Sequence, residues 1–315
     1  MADHHHHVRV ERVPLGGGPP ASPSCVCGVV TIDRPVARNA LTWAMIKAIA
    51  GAFRDFGEDP AVRVVIVTGS PSSGAFSAGV DLTAASKVFK RSEEDLEHDV
   101  VHQMERCGVP IIGLVDGPAV TAGFEIALGC DILLATSRAY FMDTHCKFGI
   151  MPGGSPRAHP FSLSLSVSVS LSLFVRPSVA DSLPLSLPLF FRPRSRWPAA
   201  GWGLSQKLAR WVSPNRARLA AFASDRIDAK RALDWGLVTS LHATAEDLAS
   251  AGMSLARRIA AQDDRTVREY KRVLAEGYGM TYREGRELER KVAWRAYAEM
   301  DPNHFDKLKA FKSKL

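Results

Sequence analysis

The 315-residue chain is 46% hydrophobic, enough to bury the core of one large domain or two small ones. Its net charge of +7 hints at an anionic partner, but five arginines (Arg157, Arg176, Arg192, Arg194, Arg196) against one acid, Asp181, lie between Ser155 and Ala200. Without that stretch the charge is +3, and nucleic-acid binding loses its main support. No run of about 18 apolar residues occurs, so no membrane span is expected. The five cysteines (Cys25, Cys27, Cys107, Cys130, Cys146) are odd in number, with no secretory signal read ahead of them, and are expected to be reduced thiols. Cys25-x-Cys27 has no second Cys/His pair at a useful spacing, so no metal site is expected.

Residues 1–24, with His4 to His7 and a Gly/Pro-rich run, read as a mobile N-terminal tail. Cys25 to Ile32 is β-rich, and Val62 to Thr68 is a continuous apolar run that suits a buried strand. Between them, Leu41 to Phe56 has helical spacing, with Asn39 near the N-cap. A helix ends near Cys107-Gly108, Ile111 to Val115 is a strand, Gly123 to Gly129 a short helix and Ile132 to Ala135 a strand. This alternation predicts an α/β fold over residues 25–243. From 244 to 315 only helices are expected: Ala245 to Ala261, Arg265 to Gly277 and Tyr282 to Met300, a lid or an oligomer-forming layer.

Residues 153–200 break the pattern. FSLSLSVSVSLSLF and DSLPLSLPLFF alternate serine and leucine, and Pro177, Pro184, Pro188, Pro193 and Pro198 oppose a packed element. A repeated CT dinucleotide reads as alternating Leu and Ser codons, so the segment resembles translated non-coding sequence. It is expected to be a disordered insert. The final tripeptide, Ser313-Lys314-Leu315, has the form of a peroxisomal address read by an import receptor.

Two turns carry candidate chemistry. Ala75 to Leu82 (AFSAGVDL) follows the strand ending at Thr68, and Asp116 to Glu125 (DGPAVTAGFE) follows the strand at Ile111. Small residues at strand-to-helix turns let a ligand approach outward-pointing N–H groups. Two such turns side by side could aim two donors at one oxygen, as an enolate requires. Glu125 lies just inside the second turn. It is either an acid favoured by the helix dipole or a general base beside that oxygen.

Arg34-Pro35-x-Ala37-x-Asn39-Ala40-Leu41, Phe76 to Leu82, Gly117-x5-Gly123-Phe124-Glu125 and Phe141-Met142-Asp143-Thr144-His145 together resemble the enoyl-CoA hydratase/isomerase (crotonase) superfamily. Gly201 to Leu208 and Ala229-x2-Ala232-x3-Gly236-Leu237-Val238 continue the resemblance beyond the foreign segment. It implies a spiral of ββα units with a helical C-terminal region, assembled as a homotrimer or hexamer. It also implies acyl-CoA thioester substrates, with coenzyme A as part of the substrate and no permanently bound cofactor. By position, the N–H groups of Val80 and Ala122 would form an oxyanion hole, while Ala37, Ala78, Gly79, Asp81 and Gly123 would line the coenzyme A groove. Glu125 falls on the family's first catalytic glutamate, and His145 stands where hydratases have the second. On a strand, Asp143 and His145 would share a face and could work together, or His145 could merely pack beneath the substrate.

The activity expected is hydration of 2-enoyl-CoA in acyl-CoA breakdown, in the peroxisome. Δ3,Δ2-enoyl-CoA isomerisation by a single glutamate is the alternative. Two non-enzymatic readings stay open: a catalytically impaired splice product carrying residues 153–200, and an acyl-CoA-binding scaffold without turnover.

Overall fold

The computed structural model describes residues 7–16, 25–83, 96–150 and 202–300. The expectations for 153–200 and for Ser313 to Leu315 lie outside the described residues. Strands β1 (Val8–Pro14), β2 (Val26–Ile32), β3 (Val62–Gly69), β4 (Ile111–Val115), β6 (Ile132–Thr136) and β9 (Ser240–His242) form one sheet in the order β1-β2-β3-β4-β6-β9. All its neighbours are parallel except β1 against β2. A smaller sheet joins β5 (Pro118–Val120), β7 (Tyr140–Met142) and β8 (Ile227–Asp228). The helices are α1 (Trp43–Glu58), α2 (Val100–Arg106), α3 (Ala122–Gly129), α4 (His145–Phe148), α5 (Leu204–Val212), α6 (Pro214–Phe222), α7 (Ala229–Asp234), α8 (Ala245–Ala260), α9 (Asp264–Gly277) and α10 (Tyr282–Ala298).

The chain climbs from sheet to sheet to helix. β4 passes through Asp116-Gly117 into β5 and then α3; β6 passes into β7 and then α4. Ser77 extends the small sheet by bridging to Ala119, so the turn after β3 joins the same layer. The expected α/β spiral of ββα units is what forms.

Helices cover both faces of the large sheet, which explains why β3 and β4 read as unbroken apolar runs. On one face α1 buries Ile46, Ile49, Phe53 and Phe56, spaced at three or four residues, and α2 adds Met104. Each such side chain contributes about 1.5–3 kcal/mol of burial. Gly28 on β2 is required here, since a Cβ would lie 2.7 Å from the Phe56 ring. On the other face α8 buries Leu248, Ala256 and Ala260 against Ile66, Ile112, Leu114 and Leu134.

Three expectations are corrected. Val8–Pro14, placed in an N-terminal tail, is a full edge strand along β2, with Val10 paired to Val30. Asn39 is not the cap of α1: the Thr42 side chain accepts from the Met45 N–H. Asp143 and His145 do not lie on a strand, because β7 ends at Met142 and His145 opens α4.

The C-terminal helices form where expected, but α9 and α10 bury no residue. α9 is fastened to the body by polar contacts. Lys271 Nζ lies 2.9 Å from Asp131 and donates to Val109 O, and Arg268 donates to Val62 O. Tyr270, Leu274, Trp294 and Tyr297 remain about two-thirds exposed.

Candidate active site

Asn39 builds the first turn from beneath. It is fully buried at φ 59°, and its Nδ2 donates to Ser73 Oγ, Ala75 O and Phe76 O within 3.2 Å. Its Oδ1 accepts from the Arg34 N–H at 2.8 Å. Ser77 Oγ donates to Asn39 O and accepts from the Gly79 N–H. Leu41 then pairs with Val80: its N–H donates to Gly79 O at 2.7 Å, and its carbonyl accepts from Asp81 at 2.9 Å. In that bridge the Val80 N–H faces away, and no hydrogen bond among the described residues uses it.

The second turn is pressed against the first. Ser77 N–H donates to Pro118 O, and Val120 N–H donates to Ser77 O at 2.9 Å. Glycine is required at two points of this contact. Gly79 sits at φ 95°, where a Cβ would fall 3.0 Å from Val120 O and 3.7 Å from Ala122 N; a Cβ on Gly123 would fall 2.5 Å from Ser77 O. The amide of Ala122 opens α3, where first-turn N–H groups have no helical acceptor. No hydrogen bond among the described residues uses it either. The turn expected from Asp116 to Glu125 therefore contains a strand, β5, before the helix begins.

Thr121, between that strand and Ala122, adopts φ 48° and ψ −109°. Such a backbone costs a non-glycine residue on the order of 1–3 kcal/mol. It is held by its N–H donating to Met142 O, and its Oγ1 lies 2.6 Å from Thr144 Oγ1.

Glu125 lies in the first turn of α3, its N–H donating to Thr121 O. Only 5% of it is exposed, and its Oε1 has no hydrogen-bond partner among the described residues. Burial pushes its pKa up to about 7. The positive charge of His145 and the N–H of Leu204 at the start of α5 pull the other way, while the charges of Asp143 and Asp99 push with burial.

His145 is buried, and Asp143 Oδ1 accepts from both its main-chain N–H at 2.9 Å and its ring Nδ1 at 2.7 Å. With Nδ1 donating to Asp143, Nε2 is left for other partners. Burial opposes the charged ring, but the Asp143 hydrogen bond and the charges of Glu125 and Asp143 together raise its pKa. The pair expected from a shared strand face thus arises from a local turn.

The remaining predicted residues flank this centre. Ala37 lies in a single 3-10 turn at Pro35–Ala37, and the exposed Ala78 donates its N–H to Arg38 O. Asp81 is occupied by protein: Arg34 Nη1 lies 2.6 Å from one oxygen, while the Thr83 N–H and hydroxyl bind the other. The Thr83 and Arg34 bonds hold its carboxyl below the usual range. Thr121, Thr144, Leu204 and the Arg34–Asp81 clamp were not singled out from sequence. Each nevertheless lay within a quoted motif, and Asp81 was expected to line the coenzyme A groove rather than to pair with Arg34. Among the described residues no group of three or more His, Cys, Asp or Glu could hold a metal ion.

Residues 23–159 match the sequence profile of the enoyl-CoA hydratase/isomerase family. The chain is 36% identical to "Probable enoyl-CoA hydratase 1, peroxisomal" of Arabidopsis thaliana, over 90% of this chain and 88% of that protein. It is 26% identical to "Enoyl-CoA hydratase, mitochondrial" of Pongo abelii, over 87% of this chain and 77% of that protein. Among solved structures it resembles an enoyl-CoA hydratase subunit of Geobacillus kaustophilus (TM-score 0.70, 23% identity, 98% of this chain and 95% of the other). A second likeness is to a Streptomyces coelicolor protein (TM-score 0.71, 19% identity, 100% and 94% covered). These structural likenesses carry the fold.

Proposed function

The chain belongs to the enoyl-CoA hydratase/isomerase family, and from that premise we propose that it adds water across the 2,3 double bond of 2-enoyl-CoA thioesters. One observation carries the reading: a buried glutamate with an unpartnered oxygen, poised near neutrality, stands one helical turn from a free amide and interacts with the Asp143-bound His145.

The thioester carbonyl accepts hydrogen bonds from the Val80 and Ala122 N–H groups, which hold the negative charge as the enolate forms. Glu125, ionised, takes a proton from water as the water oxygen bonds to C3. The C2–C3 π electrons move toward the carbonyl oxygen. Protonated His145 then returns a proton to C2 from Nε2, and the carbonyl re-forms. Asp143 is a positioning group that fixes the ring and supports its charge. Ala37, Ala78, Gly79 and Gly123 border the path of the coenzyme A moiety, and no permanently bound cofactor takes part. The Arg34–Asp81 pair holds the Val80 turn in place beside that path.

Δ3,Δ2 isomerisation is the second reading. Its support is that Asp143 is committed to His145, leaving Glu125 as a lone base able to carry a proton between C2 and C4. Turnover of crotonyl-CoA against a 3-enoyl-CoA by the purified chain separates the two. Glu125→Gln abolishes either; retention of turnover in that variant sinks both. For location we infer the peroxisome. The Arabidopsis relative's name supports this, whereas the Pongo abelii relative is named mitochondrial. For assembly we infer a homotrimer or hexamer joined through α9 and α10, whose lack of any buried residue supports a partner surface.

A further inference from the structure

Thr121 occupies a backbone region in which glycine is at ease and a β-branched side chain is crowded. Such an outlier persists only where its surroundings hold it. Here the hold includes the hydroxyl, 2.6 Å from that of Thr144. Thr144 is itself the N-cap residue of α4, yet its side chain makes no cap hydrogen bond and is turned to Thr121 instead. The two threonines have consequential neighbours. Thr121 immediately precedes Ala122, and Thr144 lies between Asp143 and His145. The hydroxyl pair is thus a side-chain link between the turn that presents the Ala122 amide and the turn that presents the imidazole, beside the main-chain bond from Thr121 to Met142.

We propose that Thr121 is a positioning residue whose hydroxyl, through Thr144, holds the Asp143–His145 turn in register with the Ala122 amide. Its consequence for turnover rests on the hydratase reading, while its effect on the turn rests on geometry alone. A threonine in a glycine-favouring conformation then has a reason: stability is given up for a hydroxyl at that point. Groups that must meet one thioester and one water lose rate steeply when displaced by an ångström.

Three substitutions separate this role from plain packing. Thr121→Val keeps the branch and drops the hydroxyl, Thr121→Ser keeps the hydroxyl, and Thr121→Gly relieves the backbone while dropping the hydroxyl. On crotonyl-CoA, kcat is expected to fall on the order of tenfold or more in the Val and Gly variants, with KM within about twofold. The Ser variant stays within about twofold of the parent in both. The Gly variant keeps a Tm at least as high as the parent's, so stability and activity part company. A readout without substrate is the downfield proton resonance of His145 Nδ1–H, which reports its bond to Asp143. It is expected in the parent and the Ser variant, and broadened by exchange in Val and Gly. A parental resonance in the Val variant overturns the proposal whatever its kcat, as does an unchanged kcat of that variant in an active parent. A parent without turnover sinks the hydratase reading and leaves the resonance to decide the role of Thr121.

Discussion

Asp143 holds His145 twice through one oxygen: Oδ1 accepts from the main-chain N–H at 2.9 Å and from ring Nδ1 at 2.7 Å. One carboxylate therefore sets both the start of α4 and the orientation of the ring. Glu125 is the other charge that acts on the imidazole, and the two acids together outweigh burial and raise its pKa.

Asp143→Asn tests the charge apart from the geometry, since the amide oxygen can still accept both bonds. Losing the carboxylate charge lowers the pKa of His145. In the proposed reaction the imidazolium must donate, so the basic limb of the kcat/KM profile moves to lower pH. Turnover at pH 8 is expected to fall on the order of tenfold, with a smaller loss at pH 6. The two limbs belong to the Glu125–His145 pair jointly, so the acidic limb shifts as well. A profile identical to the parent's removes Asp143 from the mechanism.

Glu125 should make the protein less stable as pH rises. Its folded pKa, about 7, lies above the ordinary value of 4.5. Between those values the unfolded chain releases the proton that the folded chain retains, so ionisation favours unfolding. Glu125→Gln removes that penalty. The stability difference between the Gln variant and the parent is expected to grow by about 3 kcal/mol from pH 4 to pH 8, while activity vanishes. Urea unfolding at the two pH values measures it, and a difference independent of pH refutes the buried-acid account.

Much of this was legible in sequence, and the exceptions share a cause. Val62 to Thr68 and Ile111 to Val115 announced themselves because strands covered on both faces are apolar throughout. Pro118–Val120, Tyr140–Met142 and Ile227–Asp228 are too short for any period, and their pairing is set by chain brought from elsewhere. Val8–Pro14 was hidden by exposed arginines and glutamate on an edge strand between two polar stretches. At the site, motif order placed Glu125 and His145. The near-neutral carboxyl could not be read, because its burial arises only in the assembled fold and the Leu204 amide comes from chain beyond residue 200. The Thr121 backbone was equally silent: a threonine in sequence gives no sign of positive φ.

Gly123→Ala tests the contact between the two turns. The new Cβ would lie 2.5 Å from Ser77 O, a main-chain atom that cannot swing away. The turns must part, separating the Val80 and Ala122 amides. Loss of kcat on the order of a hundredfold is expected from misplaced donors, without loss of the folded state by circular dichroism. Near-parental kcat means that the amides do not act together.

Leu274→Glu tests assembly. Leu274 lies on α9, 67% exposed, on a helix pair that buries nothing of its own. A charge there has no folding cost within one chain, but it is costly inside an apolar contact. The variant is expected to sediment as a monomer where the parent sediments as a trimer or hexamer. An unchanged mass moves the interface elsewhere.

Removal of residues 154–200 tests whether that segment belongs to the working enzyme. Its described flanks both end at the site. Ile150 N–H donates to His145 O at 2.9 Å, and Leu204, two residues after the buried Trp202, turns its amide to Glu125. Those anchors are made by residues outside the segment. Loop-closure entropy changes by only about 0.6 kcal/mol per doubling of length, and a shorter connection adds a little stability if it can span the gap. The shortened chain is expected to match or exceed the full chain in kcat and to remain in solution at higher concentration, because a Leu/Phe-rich stretch has been removed. A folded but inactive shortened chain would make residues 154–200 a functional part of the protein.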